Sequence, residues 1–212
     1  ARMSAAVSKD RVIWHKRTRF NPIRLLSPET LARQLDAFEY GDLREAALLW
    51  DVLERRDDTL MCVASKRKSA PARLPWEILT SDDSPEAHRQ KEVLENFYNN
   101  LRVTDALDRN RRGGVSLLVR QMMDAVGKKY AVHNILWNRS SQGIRAELQF
   151  VPLWFFENRT GVLRFLKNET DLEGEELKAG AWMVTVGQGL METSSIAATF
   201  KRLPFQDWLT YC

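Results

Sequence analysis

The chain has 212 residues, of which 44% are hydrophobic and 28% charged, the proportions of a soluble globular protein. No run of about 18 apolar residues occurs and no apolar segment follows the charged N-terminus, which argues against a membrane span and a secretory signal. Two cysteines, Cys62 and Cys212, lie far apart and outside any C-x-x-C motif, which argues against a disulfide framework or a zinc site.

Positive charge is concentrated at one end of the chain. The net charge of +4 combines about +6 in residues 1–24, where seven Lys and Arg accompany one Asp, with about −2 elsewhere. We expect residues 1–24 to form a poorly ordered basic arm and residues 25–212 to form a single α+β domain. Such an arm fits a contact with nucleic acid or with an acidic partner, and a solvated terminus is the simpler alternative.

Cap residues and apolar spacing predict the first two helices. Ser27 precedes Pro28, an N-cap followed by proline at the first helical position, and Gly41 ends this segment. A second helix is predicted over about 43–56 from the helical spacing of its apolar residues.

The next segment is predicted to be a helix followed by a short strand. Asp58 is expected to cap the helix, which Pro71 and Pro75 close because proline cannot continue it. Cys62 lies among apolar residues of this helix and is interpreted as a core thiol. "PWEILTS", residues 75–81, is predicted to be a strand.

Two more helices are predicted before the strand-rich region. One runs from Ser84 to about 101, and an apolar helix follows Gly113-Gly114 and ends at Gly127. The inward face of the first is expected to comprise Val93, Leu94, Phe97 and Leu101.

Beyond residue 130 the apolar pattern changes to period two. Strands are predicted in "AVHNILWN", "IRAELQFVP", "GVLRFLKN" and "AWMVTVG", with a last helix capped by Thr193 or Ser194. The fold class is therefore α+β: N-terminal helices, a mostly antiparallel strand meander and a C-terminal helix.

The last helix is expected to extend to Tyr211 and to bend or restart near Pro204. Phe200, Leu203 and Trp208 are expected to cover apolar surface on the strand layer, with Trp208 as the anchor.

One motif is typical of a nucleotide site. Gly187-x-Gly189 lies between a predicted strand and a predicted helix, as in a dinucleotide-binding turn. The third glycine position holds Glu192, whose carboxylate would repel a pyrophosphate. We interpret the motif as an ordinary glycine turn.

No residues are arranged as a catalytic or metal site. His15, His88 and His133 have no metal-ligand spacing, and His133 is interpreted as a half-buried strand residue. We therefore expect a protein that is not an enzyme and that has no cofactor and no metal.

Two basic segments are candidates for binding nucleic acid, the N-terminal arm and the Arg cluster at 109–112, which Lys128 and Lys129 extend. A solvated surface is the simpler alternative, and a stand-alone nucleic-acid-binding module is the alternative function. The candidate contact residues are Arg11, Lys16, Arg17, Arg19, Arg109, Arg111 and Arg112.

Residues 20–212 as a whole resemble the N-terminal, wing-like part of the portal protein of Mu-type phages and prophages. The stretches that carry the resemblance include "NPIRLLSPETLARQLDAFEYGDL", "LVRQMMDAVGKKYAVHNILWN", "FVPLWFFENRTGVLRFL" and "FKRLPFQDWLTYC". The residues that match the family's order are Asp57, Arg67, Trp76, Trp137, Lys201, Asp207 and Trp208.

The resemblance implies a structural subunit of a homo-oligomeric ring, commonly of twelve copies, at a capsid vertex. Double-stranded DNA would be packaged and ejected through the ring, and a terminase motor, capsid proteins and head–tail connector proteins would contact it. The implied location is the virion, or the host cytoplasm during assembly, without membrane contact. Stem and clip segments would lie beyond the matched region.

Overall fold

The computed structural model of the chain describes residues 21–140, 143–168 and 170–211, with side chains for all of these except 140 and 204–211. The helices are α1 Pro28–Glu39, α2 Arg44–Arg56, α3 Asp58–Ala72, α4 Pro85–Asn99, α5 Val115–Met122, α6 Asp124–Lys128 and α7 Met191–Tyr211. The strands are β1 Arg102–Asp105, β2 Arg112–Gly113, β3 Tyr130–Ser140, β4 Gly143–Val151, β5 Phe156–Glu157, β6 Arg164–Phe165, β7 Glu175–Glu176 and β8 Trp182–Val186. Short 3₁₀ helices occupy Pro22–Leu25 and Leu153–Phe155.

The predicted α+β class, mostly antiparallel, is confirmed. The larger sheet has the strand order β2-β1-β4-β3-β8, and β5, β6 and β7 form a smaller one. All pairs are antiparallel except β1 with β4, which is parallel. No strand was predicted between residues 82 and 130, but β1 and β2 lie there, before α5.

Side-chain caps start α1 and α3. Ser27 accepts a hydrogen bond from the Thr30 N–H at 3.2 Å, and Thr30 accepts one from the Ser27 N–H at 2.8 Å, which confirms this cap. The predicted cap of α3 at Asp58 is wrong, because Asp57 accepts the Leu60 N–H at 3.0 Å and has extended backbone dihedrals.

Three predictions for residues 58–101 are wrong in whole or in part. Residues 75–80 have no regular structure, and Trp76 is 47% exposed. Of the predicted inward face, Val93 is 64% exposed and Leu94 is largely exposed, whereas Leu101 is buried and Phe97 packs on the core as predicted. Cys62 on α3 is exposed rather than in the core. Neither α3 nor α4, both fully described, has a buried residue. Their apolar side chains have too little of this chain to pack against.

The main core surrounds α2. Trp50 is fully buried, its ring lies 4.7 Å from that of Phe38, and its indole N–H donates to the Ser195 hydroxyl of α7 at 3.3 Å. A second cluster fills the space between α5 and the larger sheet. It contains Leu101, Val103, Leu118, Ala146 and Leu148.

Helix α7 begins at Met191, earlier than the predicted caps Thr193 and Ser194, whose hydroxyls donate to the Leu190 carbonyl instead. It is continuous through Pro204, so the expected helix to Tyr211 is confirmed and the alternative of a restart at Pro204 is wrong. Phe200 is 57% exposed, contrary to its predicted contact with the strands. The predicted anchor Trp208 belongs to the residues whose side chains are not described. Within the described part of the chain, no helix has the length and apolar character that a bilayer crossing requires.

Candidate functional site

Several buried and partly buried charges lie together where α2, α3 and α6 meet. The Lys68 ammonium lies 2.7 Å from the Glu54 carboxylate and 2.5 Å from that of Asp124. Lys128 lies 3.0 Å from Asp124, is hydrogen-bonded to Asp51 and is 3.8 Å from Glu54. We call these five residues, Asp51, Glu54, Lys68, Asp124 and Lys128, the buried charge cluster.

The pKa values within the cluster follow from burial and charge. Burial raises the pKa of Asp51 although Lys128 opposes it, whereas at Asp124 the ammonium groups of Lys128 and Lys68 outweigh burial and lower the pKa to about 2. The surrounding carboxylates outweigh burial at Lys128 and raise its pKa. A buried, hydrogen-bonded network of this kind fixes the relative positions of the helices. The prediction that Lys128 extends a basic surface is therefore wrong.

A second set of charges joins α7 to the start of α3. The Lys201 ammonium lies 3.1 Å from Asp58 and 3.7 Å from Asp57. A hydrogen bond from Lys201 lowers the pKa of Asp58, and the same bond raises the pKa of Lys201. The contact lies at the surface, because Lys201 is about half exposed.

A cavity of about 230 Å³ opens between α3, α6 and the start of α7. Its walls are mainly apolar, and the buried charge cluster borders it through Glu54 and Lys68. Arg67 of α3 also lines it, and no ion pair to Arg67 occurs within the described residues. The apolar wall comprises Leu60, Val63, Ala64, Met123, Val126, Leu190 and Met191.

Aromatic side chains form a chain of contacts from the 75–80 segment across α4 to β3. The Trp76 ring lies 5.7 Å from that of Tyr98, and the Phe97 ring lies 6.2 Å from that of Trp137. The Trp137 indole donates to the Gly180 carbonyl at 2.6 Å, which fixes its orientation. Trp76, Tyr98 and Trp137 all remain more than one-third exposed. Large exposed apolar areas of this kind are typical of interaction surfaces.

The predicted nucleic-acid contacts divide into two groups. Arg11, Lys16, Arg17 and Arg19 lie outside the described residues. Arg109, Arg111 and Arg112 are exposed together at the turn that joins β1 to β2. Arg111 lies 3.6 Å from the Asp105 carboxylate, and the Arg112 Nε donates to the Arg109 carbonyl at 2.9 Å. The cluster is thus a local surface feature whose charge Asp105 partly offsets, and its role in binding stays a prediction.

Close packing accounts for the glycine motif. A side chain at Gly187 would collide with the Ala125 carbonyl of α6, and the Gly187 N–H donates to the Lys129 carbonyl at 2.8 Å. Position 187 therefore requires glycine for a backbone contact, independently of any ligand.

His133 is completely buried on β3, more than the half-buried position predicted. Its Nε2 faces the Gln121 Oε1 at 3.2 Å, and the Gln121 amide nitrogen donates to the Thr104 carbonyl at 3.2 Å. The imidazole therefore donates from Nε2, and its Nδ1 has no hydrogen-bond partner among the described residues. Burial lowers its pKa to about 4, so the ring is neutral at pH 7. In the described parts of the chain, no group of three or more His, Cys, Asp or Glu side chains is arranged so that it could hold a metal ion.

Sequence comparison identifies the family. A family model described as portal protein of Mu bacteriophage matches residues 47–212, more than three-quarters of the chain. The chain belongs to this portal family. The chain is also similar to Mu-like prophage FluMu protein gp29 of Haemophilus influenzae, with 24% identity over 206 residues. That alignment covers 90% of this chain but 37% of the relative.

Sequence reasoning about this portal family member missed the buried charge cluster. The i, i+4 spacing of Asp124 and Lys128 was the local signal that could have revealed half of it. The partners Asp51, Glu54 and Lys68 come from two other helices, and no local pattern connects them. By contrast, two residues that the resemblance selected, Asp57 and Lys201, do lie together.

Proposed function

We propose that the chain is part of the subunit of a phage portal ring through which double-stranded DNA enters and leaves the capsid. The observation that carries this proposal is the portal family match over residues 47–212. Because the chain spans 37% of the curated relative, we assign it to one part of the subunit, the wing-like part.

The distribution of exposed apolar residues supports assembly into a ring. A subunit of a head-to-tail ring needs two different adhesive surfaces. One candidate surface is formed by α3, α4 and the 75–80 segment, where Leu79 and Val93 are exposed. Another includes Phe200 on α7 and Val186 on β8. Among the described residues, β8 pairs with β3 alone, so its other edge is unpaired there.

The proposed role requires no bond chemistry from this chain. The ring would guide DNA, while a terminase motor that docks on it would hydrolyse ATP. Capsid proteins and head–tail connector proteins would be the other partners, in the virion and, during assembly, in the host cytoplasm. We therefore propose a non-enzymatic structural protein.

Mass photometry of the whole reading frame that encodes this chain tests the proposal. We expect one closed oligomer, of about twelve subunits, whose mass does not increase further with concentration. A protein that stays monomeric from nanomolar to micromolar concentrations would contradict the proposal. The isolated 212-residue chain, measured in parallel, reports whether this part is sufficient for assembly.

A further inference from the structure

The cavity between α3, α6 and α7 has the size and lining of a site for an aromatic side chain. Apolar cavities of about 150 Å³ accommodate a benzene ring. The cavity measures about 230 Å³ and therefore has room for a phenol ring. Its apolar wall offers favourable burial, and the hydroxyls of Thr193 and Ser194 and the guanidinium of Arg67 supply polar partners.

The side of the cavity formed by α3 carries an unpaired positive charge. Arg67 lines the cavity, is exposed and has no ion-pair partner within the described residues. Lys68, the next residue, is already paired with Glu54 and Asp124 in the buried charge cluster. The free positive charge at the opening therefore favours an occupant that carries carboxylates beside its ring.

One exposed aromatic residue of this chain has those properties. Tyr40 follows the last residue of α1 and is 82% exposed. Asp36 lies one helical turn before Tyr40, and Glu39 lies one residue before it. Both carboxylates are exposed, and ion pairs to them are absent from the described structure. Gly41, at φ +89°, packs so closely on the Asn158 backbone that a side chain there would collide with it. This contact holds the base of Tyr40 in place while its ring projects outward.

Tyr40 cannot occupy the cavity of its own chain. It lies beside the start of α2, whereas the cavity borders Glu54 near the end of that helix. Ten residues of α-helix from Arg44 to Glu54 separate the two places by about 15 Å. A contact between two different surfaces of identical subunits is heterologous. Contacts of this type generate closed rings when the rotation between neighbouring subunits closes.

We propose that Tyr40 of one subunit inserts into the cavity between α3, α6 and α7 of the next subunit, with Asp36 and Glu39 facing Arg67. This inference rests on the proposed portal ring and specifies one of its subunit contacts. The occupant is thus a second copy of this chain.

Charge exchange in the whole reading frame tests the contact. We expect Glu39→Arg and Arg67→Glu each to weaken ring assembly about tenfold or more, and the double variant to recover most of the loss because the pair is restored with opposite sign. Tyr40→Ala should weaken assembly similarly, as truncation of a central aromatic anchor does. Leu172→Ala, which truncates an exposed apolar residue elsewhere, is the matched control and should assemble normally.

Cross-linking provides a second measurement, which reports directly that the two surfaces lie close together. In a background with Cys62→Ser and Cys212→Ser, a chain carrying Asp36→Cys and Val63→Cys, with Tyr40, Glu39 and Arg67 unaltered, should form a ladder of multimers with a short bis-maleimide. A chain carrying Leu172→Cys and Val63→Cys should remain monomeric on the same gel.

The outcomes separate this contact from the ring itself. If the unaltered protein forms no ring, the proposed function fails, and this contact fails with it. If the ring forms but Tyr40→Ala and Arg67→Glu, each folded by circular dichroism, assemble normally and no ladder appears, only the contact is wrong. Loss of assembly by the single variants together with recovery in the double variant supports it.

Discussion

Lys201 on α7 lies 3.7 Å from Asp57, the residue that caps α3. Asp57 therefore has two partners, since one carboxylate oxygen accepts the Leu60 N–H and the other faces the ammonium. The start of α3 and the middle of α7 are connected at this point. The sequence resemblance had selected both residues, and this proximity gives a physical reason for their association.

The cap at Asp57 should contribute more to stability than its neighbour. We expect Asp57→Ala to lower the free energy of unfolding by about 1 kcal/mol, because the Leu60 N–H loses its side-chain acceptor. Asp58→Ala, which removes a solvent-exposed partner of Lys201, is the matched control and should have the smaller effect. Urea unfolding of both variants checks this, and equal effects would contradict the assignment of the cap.

Lys128 should be among the residues least tolerant of substitution. Lys128→Met leaves the carboxylates of Asp51 and Asp124 without their shared ammonium, and breaking a buried pair in this way costs about 3–5 kcal/mol. Lys129→Met changes an exposed neighbour and should be nearly neutral. Thermal and urea unfolding of the two variants distinguishes them. Similar stability of both would show that the cluster does not hold the helices together.

The buried neutral His133 should make stability depend on pH. Its folded-state pKa of about 4 lies below the ordinary 6.5, so the unfolded chain takes up the proton first as pH falls. The contribution of His133 is complete above pH 6.5 and is lost towards pH 4, by up to about 3 kcal/mol.

The comparison with His133→Gln isolates this effect, because Asp51 and Asp124 titrate in both proteins. We expect the free energy of unfolding of the unaltered chain to fall more steeply than that of the variant between pH 6.5 and 4. Parallel pH profiles would show that His133 accepts its proton without cost in the fold.

The Arg cluster at 109–112 should bind duplex DNA weakly and electrostatically in the isolated chain. Replacing Arg109, Arg111 and Arg112 by Ala should then lower affinity for duplexes of any sequence and reduce the slope of log K against log salt. Because Asp105 partly neutralises Arg111, the decrease in this slope should correspond to the loss of fewer than three phosphate contacts. An unchanged affinity and slope would remove this cluster from the candidate contacts, and deletion of residues 1–20 tests the arm separately.

Local signals were sufficient for the elements whose partners lie nearby in sequence. Ser27 with Pro28 located α1, and alternating residues located β3, β4 and β8, because caps and strand periodicity are local properties. The 75–81 segment shows the limit. Its alternation is that of a strand, but Trp76 packs on Tyr98 of α4 instead of on a neighbouring strand.

The same reasoning applies to α4 and to the candidate site. An apolar face such as that of Val93 and Leu94 predicts burial, but it does not identify the molecule that provides the burial. Residues from four helices line the cavity, and residues from three helices form the buried charge cluster. Their assembly is a tertiary property, so the oppositely charged pair with a detectable local spacing was Asp124 with Lys128, which share one helix.

The parallel pairing of β1 with β4 has a consequence for the order of folding. The β3–β4 hairpin joins residues that are three apart at its tip, Ser140 with Gly143, whereas Val103 must meet Leu148 across an intervening chain of more than 40 residues. Closing the longer loop has the higher entropic cost, so we expect the hairpin to form first and β1 to be added to its edge late. Destabilising substitutions in β1 should therefore accelerate unfolding and leave the refolding rate nearly unchanged.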